Sequence, residues 1–173
     1  SDRFRLLTLG TRTAPARHQT LRAALDWSYD LLTDRERLLL SRLSVFAGGW
    51  TLAAAEAVCA DGDCPEGDVL DTLTRLVERS LVMVGELGQD TWYRLLETVR
   101  LYAREKLEAR GDAGTVRGRH RDWYVRFAER AEPELQGPAL EAWLERLEAE
   151  HDNVRAALDY CRTLEPNPEY GLR

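Results

Sequence analysis

Lysine is almost missing from this sequence of 173 residues: Lys106 is the only one, and the other basic residues are arginines. The 24 basic residues are outnumbered by 30 acidic ones, which gives a formal net charge of −6. Because nucleic-acid binding depends on neutralising phosphates with Lys and Arg, this balance argues against a nucleic-acid surface as the dominant feature. A local basic patch is still compatible with it.

Long apolar segments are missing as well. No run approaches the roughly 20 residues that a membrane helix needs, and residues 1–9 lack the apolar stretch of a signal peptide. The cysteines are Cys59, Cys64 and Cys161, and a C-x4-C pair without a nearby His is a poor zinc signature. The sequence therefore predicts a cytoplasmic protein with free thiols, no metal site and no membrane contact.

Motifs for catalysis and for nucleotide binding are also lacking. The chain contains no P-loop of the form G-x-x-x-x-G-K-[ST], so we expect that it binds no cofactor alone. Its three histidines, His18, His120 and His151, have no nucleophile motif beside them. We therefore expect no catalytic residues and no enzymatic activity within this chain.

Residues 17–50 carry the strongest helical pattern. Thr20 is a plausible N-cap for a helix over about 20–32, and Thr33 with Glu36 forms a capping box that opens a second helix over about 34–47. Apolar residues then recur at helical spacing until Gly48 and Gly49 end the second helix. These residues predict a pair of amphipathic helices.

The next 60 residues predict two more helices, a β-hairpin and a fifth helix. The third helix starts at Thr51, and the fourth is capped by Asp68 or Gly67. LVMV and TWYRLL then flank six turn residues, GELGQD, which is typical of a β-hairpin with a long loop. A helix that stops at Gly111 follows. Three helices before a hairpin are the winged-helix pattern, which we assign to residues 20–110.

Residues 111–173 change to long, charged amphipathic patterns. One helix is predicted to end at Pro133, a second to open near Pro138, and a last one to be capped by Asp152 or Asn153. We found no repeat period in this segment, although it could lead into a helical array. The predicted fold is therefore mainly α: a winged helix-turn-helix with one two-stranded β-hairpin, followed by a helical extension.

Residues 1–19 form a basic segment with Arg12, Arg17 and His18, and its pattern begins abruptly, so we expect the chain to be part of a longer protein. These cations could approach a phosphate held by an upstream domain, or they could be solvated linker residues. Trp27, Trp50 and Trp92 are candidates for contacts between domains, although core packing is an alternative for each.

Four segments together resemble one family: RHQTLRAALDWSYDLL, LSRLSVFAGGWTLAAAEAVC, VLDTLTRLVERSLV and YRLLETVRLYAREKL. They resemble the region downstream of the nucleotide-binding module in bacterial STAND (NB-ARC-like) signal-transduction ATPases, including actinobacterial transcriptional regulators of the AfsR and LuxR-like kind. LERLEAEHDNVRAAL is similar to the stretch that leads into tetratricopeptide repeats there. The resemblance covers about residues 1–160.

The resemblance implies a regulatory winged helix that packs on an upstream ATPase domain and acts as a latch, with ATP or ADP bound by the parent protein. It also implies downstream helical repeats and oligomerisation of the parent as partners. In eukaryotic relatives a His of an M-H-D-like motif touches ADP, and the matching stretch here is Leu95-Leu96-Glu97. Leu96 stands at the His position and cannot donate a hydrogen bond, whereas Glu97 keeps the acidic position.

DNA binding by the winged helix is the alternative. The predicted fourth helix carries Asp68, Asp71, Arg75, Glu78 and Arg79. A helix that reads the major groove favours Arg, Lys, Asn and Gln at base edges, with basic flanks. The charged residues of this helix are three acidic and two basic, so we expect direct DNA contact to be the weaker of the two hypotheses.

Overall fold

The structure is a computed structural model that describes residues 16–164. In that range the elements are α1 (Ala16–Asp30), α2 (Asp34–Leu43), β1 (Gly49–Thr51), α3 (Leu52–Cys59), α4 (Glu66–Glu78), β2 (Met83–Leu87), β3 (Asp90–Arg94), α5 (Glu97–Arg110), α6 (Ala113–Glu134) and α7 (Leu140–Leu164). Helices α2 to α4 with the three strands form a winged helix, and the predicted mainly α fold class is confirmed.

Local capping explains where several helices begin. The Glu36 amide donates to the Thr33 hydroxyl, and the Thr33 amide donates to the Glu36 carboxylate over 2.7 Å, so the predicted capping box is present. The Thr51 hydroxyl accepts one hydrogen bond from the Ala54 amide at the start of α3, and Gly111 ends α5 in the left-handed conformation with φ of 82°. The predicted capping box and the predicted stop are confirmed, and α3 begins one residue after its predicted start.

Two predicted helix starts are wrong. Thr20 lies inside α1, because that helix begins at Ala16. Helix α4 begins at Glu66 directly after Pro65, so neither Gly67 nor Asp68 is its N-cap. The fixed φ of Pro65 suits the residue before a helix and opens α4 earlier than a polar cap would.

The sheet has three strands, not the predicted two. β3 lies in the centre and pairs antiparallel with both β1 and β2, with Trp50 opposite Tyr93 and Val84 opposite Tyr93 on the other side. The hairpin loop is also shorter than predicted, because β2 and β3 extend through most of the turn residues to leave Gly88 and Gln89. Gly88 has φ of 60°, as a type II′ turn requires at its first central residue.

The helical extension contains two long helices, not three. Pro133 lies inside the last turn of α6, and α7 runs without a break through Asp152 and Asn153. Asn153 does not cap a helix, because tertiary contacts with the winged helix occupy its side chain. The predicted cap at Asp152 or Asn153 is therefore wrong, whereas the helix end predicted at Pro133 lies one residue before the observed end at Glu134.

One continuous core joins the winged helix to the extension. Its largest fully buried side chains come from both parts: Trp50, Tyr124, Phe46, Leu39, Leu40, Leu43, Leu73, Leu76 and Leu107. Phe46 stacks on Trp50 with ring centroids 5.1 Å apart and meets His120 of α6 edge-on at 5.2 Å. The extension is thus packed as part of the same core.

None of the helices within residues 16–164 has the length and apolar character needed to cross a membrane.

Candidate interaction surfaces

The face that α4 and the wing present to solvent is acidic. Residues 66–90 hold six carboxylates and two arginines, which gives a net charge of −4. On α4 the exposed positions include Leu70, Asp71, Thr74 and Glu78. A duplex approaching this face would bring phosphates towards carboxylates, so the electrostatic attraction that supports non-specific DNA binding is missing here.

Arginines close to this face are partly occupied by ion pairs. Arg35 contacts Asp68 at the start of α4 over 2.5 Å, and Arg79 lies 3.5 Å from the buried Glu36 carboxylate. The capping hydrogen bonds from Thr33 and the nearby Arg79 lower the pKa of Glu36 against the effect of its burial. Arg75 is therefore the α4 cation left without an ion pair among the described residues.

The wing is linked to the extension. Asp90 at the hairpin accepts a hydrogen bond from Arg146 of α7 over 2.5 Å, and both side chains are about half exposed. A wing of a DNA-binding domain normally faces the duplex, whereas here one side of its tip faces α7. The contact is weak because it is exposed, but it shows which way the hairpin leans.

Helix α1 offers the largest exposed aromatic surface. Trp27 is 68% exposed, Leu21 of the same helix is 42% exposed, and Leu31, in the turn directly after the helix, is 52% exposed. Its other side meets α5, where Arg22 forms a two-point ion pair with Glu105 and the Tyr102 hydroxyl donates to Asp26 over 2.7 Å. The exposed Trp27, with Leu31 close to it in sequence, marks a surface suited to a protein partner.

The proposed nucleotide-sensing residues fall in separate places. Leu96 is half exposed just before α5, and Glu97 opens that helix in a two-point ion pair with Arg100, which lowers the Glu97 pKa.

Arg17 and His18 lie in the first turn of α1. Since Arg22 pairs with Glu105 and Asp26 with Tyr102, α1 runs antiparallel to α5, and its first turn lies towards the opposite end of α5 from Leu96. Arg12 lies outside the described residues.

The other two tryptophans belong to the sheet. Trp50 is fully buried in β1, so it has no surface to offer to another domain and functions as a core residue. Trp92 is half buried and covers Gly49, where an added Cβ would lie 1.9 Å from the indole Nε1. Glycine is required at position 49 by this close approach, which the sequence alone did not indicate.

Sequence reasoning missed a buried polar cluster, here called the Asn153 cluster: Asn153, His120, Glu150 and Tyr124. The Asn153 amide group donates to the Gly49 carbonyl over 2.7 Å and accepts from the Ala47 amide over 2.8 Å. Tyr124 donates to Glu150 over 2.7 Å. An Asn and a Glu on the apolar side of a long helix were the available signal, because buried polar groups need partners.

A second cluster, the Arg42 cluster, consists of the buried Arg42 and the partly exposed Asp61, Asp112 and Arg119. Arg42 is only 4% exposed and lies 2.7 Å from Asp61 and 3.3 Å from Asp112. Its hydrogen bond lowers the pKa of Asp61 to about 2. The cluster joins α2 to the loop after α3 and to the start of α6, and its function is structural.

Comparisons with known proteins agree with this architecture. Residues 32–108 match a family described as "Winged helix-turn-helix domain". The chain is 48% identical over 164 residues to "Putative HTH-type transcriptional regulator Rv0890c" of Mycobacterium tuberculosis and equally to Mb0914c of Mycobacterium bovis, which carries the same description. It is 43% identical over 122 residues to "Uncharacterized protein Rv0894" of M. tuberculosis. No solved structure gives a significant match.

The matches cover different shares of each protein. The alignment with the first two relatives includes 93% of this chain and 18% of their length, and that with the third includes 70% of this chain and 31% of its length. Residues 32–108 thus form a winged helix-turn-helix domain, similar to a segment of much longer proteins named as transcriptional regulators. Such domains usually contact DNA, so the comparisons fit the DNA-binding alternative better than the ATPase latch, on which they are silent.

Proposed function

We propose that this chain is the winged-helix module of a larger transcriptional regulator and that it acts by contacting protein, not by placing α4 in the major groove. The observation that carries this proposal is the net charge of −4 on residues 66–90. Groove-reading helices depend on basic flanks to position them on phosphates. The similarity to named transcriptional regulators supports the broader part of the proposal.

The contact surface we assign is the exposed surface of α1 and the turn that follows it, centred on Trp27 with Leu31 beside it in sequence and Leu21 on a neighbouring side of the helix. Large aromatic side chains are the usual anchors of protein interfaces, because they bury much area at a small cost in entropy. The resemblance to STAND ATPases suggests an upstream nucleotide-binding module as the partner. Leu96 and Glu97, on another side of the winged helix, would be a second contact with that module. The module would then act as a latch that favours one of two states of the regulator.

DNA binding is tested directly on this chain by fluorescence anisotropy with a random duplex at low and at physiological salt. We expect no saturable binding at physiological salt. Saturable binding that Arg75→Glu abolishes would overturn the proposal and establish the second candidate, a DNA-binding winged helix. That candidate has the helix order of the fold and the names of the relatives in its favour.

The protein contact is tested in the longer protein that carries this chain with its upstream region. Trp27→Ala should speed nucleotide release or change the oligomeric mass, measured by a fluorescent ADP analogue and by light scattering. Val125→Ala removes an apolar side chain that is 44% exposed on α6 and is the matched control. Equal behaviour of the two variants would contradict the assigned surface.

A further inference from the structure

A cleft of about 610 Å³ opens where the winged helix meets the extension. Its walls come from the segment after α2, from α5, from α6 and from the second half of α7. Val45 and Leu107 are among its apolar lining residues, while Arg100, Arg104 and Arg117 supply three guanidinium groups. Cavities of this size accommodate small organic ligands.

The lining charge is positive. Asp159 is the carboxylate among the described lining residues, against three arginines. Arg100 binds Glu97 and Arg117 binds Glu108, both from the outer side, where the carboxylates are more than half exposed. Each of these two arginines still has N–H groups that its carboxylate does not use, because a guanidinium carries five donors.

Arg104 is the arginine that stands out. Among the described residues it has no hydrogen bond or ion pair, although it lines the same cleft as the other two. Its side chain is exposed overall, but partial desolvation of the guanidinium, followed by the repulsion from Arg117 and Arg100, lowers its pKa, and the attraction of Glu108 and Glu97 offsets this only in part. An anion in the cleft would reduce the repulsion among the three arginines.

We propose that this cleft binds a phosphorylated small molecule, with the phosphate held by Arg104 between Arg100 and Arg117 and the apolar body against Val45 and Leu107. Each of the three guanidinium groups offers N–H donors, and two of them keep donors that Glu97 and Glu108 do not use. The guanidinium fork suits phosphate oxygens in geometry as well as in charge. A monocarboxylate offers fewer acceptor oxygens to the three groups than a phosphate does.

The site lies within this chain, between its two parts, and does not depend on an upstream module or on the protein contact proposed above. A ligand there would touch α5 and α6 together with α7. It would therefore stabilise the arrangement of the extension on the winged helix in proportion to its affinity.

The test uses the whole chain and phenyl phosphate, with inorganic phosphate and benzoate as separate probes, in isothermal titration calorimetry at constant ionic strength. We expect saturable binding of phenyl phosphate at millimolar concentration or tighter, weaker binding of inorganic phosphate, and the weakest binding of benzoate. Arg104→Gln should weaken phenyl phosphate binding by about tenfold or more, because it removes a charge-assisted contact.

The matched control is Arg126→Gln, which removes one exposed charge on α6 outside the cleft and should leave the affinity unchanged. Circular dichroism checks that both variants keep the helical content. Equal weakening in both variants would show a general charge effect and would overturn the proposal, as would absence of saturable binding to the wild-type chain. Benzoate binding tighter than phenyl phosphate would overturn the phosphate assignment.

Discussion

The winged helix has a neighbouring helical part on each side, and the two junctions differ in kind. On the C-terminal side, the buried Asn153 and Arg42 bind backbone groups of the winged helix directly, although Asp61 and Asp112 beside Arg42 are 26% and 28% exposed. Asn153 has no exposed surface and Arg42 is 4% exposed. Polar groups in such surroundings gain from strong hydrogen bonds and lose heavily when a partner is removed.

On the N-terminal side, α1 meets α5 through groups that water can reach. The side chains of Arg22 and Glu105 are 40% and 26% exposed. Lys106 lies 4.8 Å from the ring centroids of both Tyr29 and Tyr102, and the two rings meet edge-on at 5.6 Å. Each contact of this type contributes a modest free energy, which solvent and salt reduce further.

The comparison indicates where the molecule can move. The extension is fused to the winged helix, so the two should respond as one body to a partner. We expect helix α1 to leave α5 at a smaller cost in free energy than the extension leaves the winged helix, as a segment that exchanges partners must. A regulatory contact of the winged helix is therefore expected on the α1 side.

Arg42→Ala should cause the largest loss, because it leaves Asp61 and Asp112 without their buried cation. We expect the free energy of unfolding to fall by about 4 kcal/mol, measured by urea denaturation followed by circular dichroism. The exposed Arg126→Ala, on α6, is the control and should change stability by less than about 0.5 kcal/mol. A loss below about 1 kcal/mol for Arg42→Ala would mean that the cluster does not join the two parts.

Asn153→Ala tests the other buried cluster. It removes the acceptor of the Ala47 amide and the donor to the Gly49 carbonyl, so we expect the free energy of unfolding to fall by about 3 kcal/mol. The neighbouring Asp152→Ala, at an exposed position, is the control for a change in the same helix turn. If both substitutions had equally small effects, the extension would not be fused to the winged helix as the comparison states.

Acid should weaken the same junction through His120. Burial lowers the pKa of His120 from 6.5 to about 4. The unfolded chain thus binds the proton more readily than the folded one, and stability falls as the pH drops from about 6.5 to about 4. The maximum contribution is about 3 kcal/mol.

Glu150 acts in the opposite direction. Burial raises its pKa, so its protonation as the pH falls relieves a cost that is present at neutral pH. The informative measurement is therefore the difference in pH dependence between the wild type and His120→Gln, which share Glu150. We expect a smaller loss between pH 6.5 and pH 4 in the variant. Identical slopes would exclude His120 as the group responsible.

Sequence reasoning predicted the elements whose signals are local. The capping box of Thr33 and Glu36, the helix start at Thr51 and the stop at Gly111 each depend on residues within one helix turn; the capping box and the stop are present in the structure, and the helix begins one residue later with Thr51 as its N-cap. The acidic character of α4 was also visible, because charge is read directly from the sequence. The candidate site was thus predictable where it depended on a single helix.

What the sequence did not reveal depends on distant contacts. β1 is three residues long and exists because β3 lies beside it, more than 40 residues later in the chain. From its sequence neighbours alone, Asn153 looks like a helix N-cap. In the structure its side chain instead binds the backbone of Ala47 and Gly49. The cleft that we propose to bind a phosphate is formed where α5, α6 and α7 meet. No local spacing in the sequence could therefore indicate that Arg104 and Arg117 line the same cleft.

The smallest predicted effect concerns the ion pair of α1. A double-mutant cycle with Arg22→Ala and Glu105→Ala should give a coupling energy of about 0.5 kcal/mol, because the pair is exposed to solvent and to salt. Hydrogen exchange should show α1 amides opening with a much lower free energy than those of α7 near Asn153, and high salt should lower it further. A coupling energy above about 2 kcal/mol, or equal protection of both helices, would mean that α1 is as firmly joined as the extension. The partner surface around Trp27 would then have to work without movement of its helix.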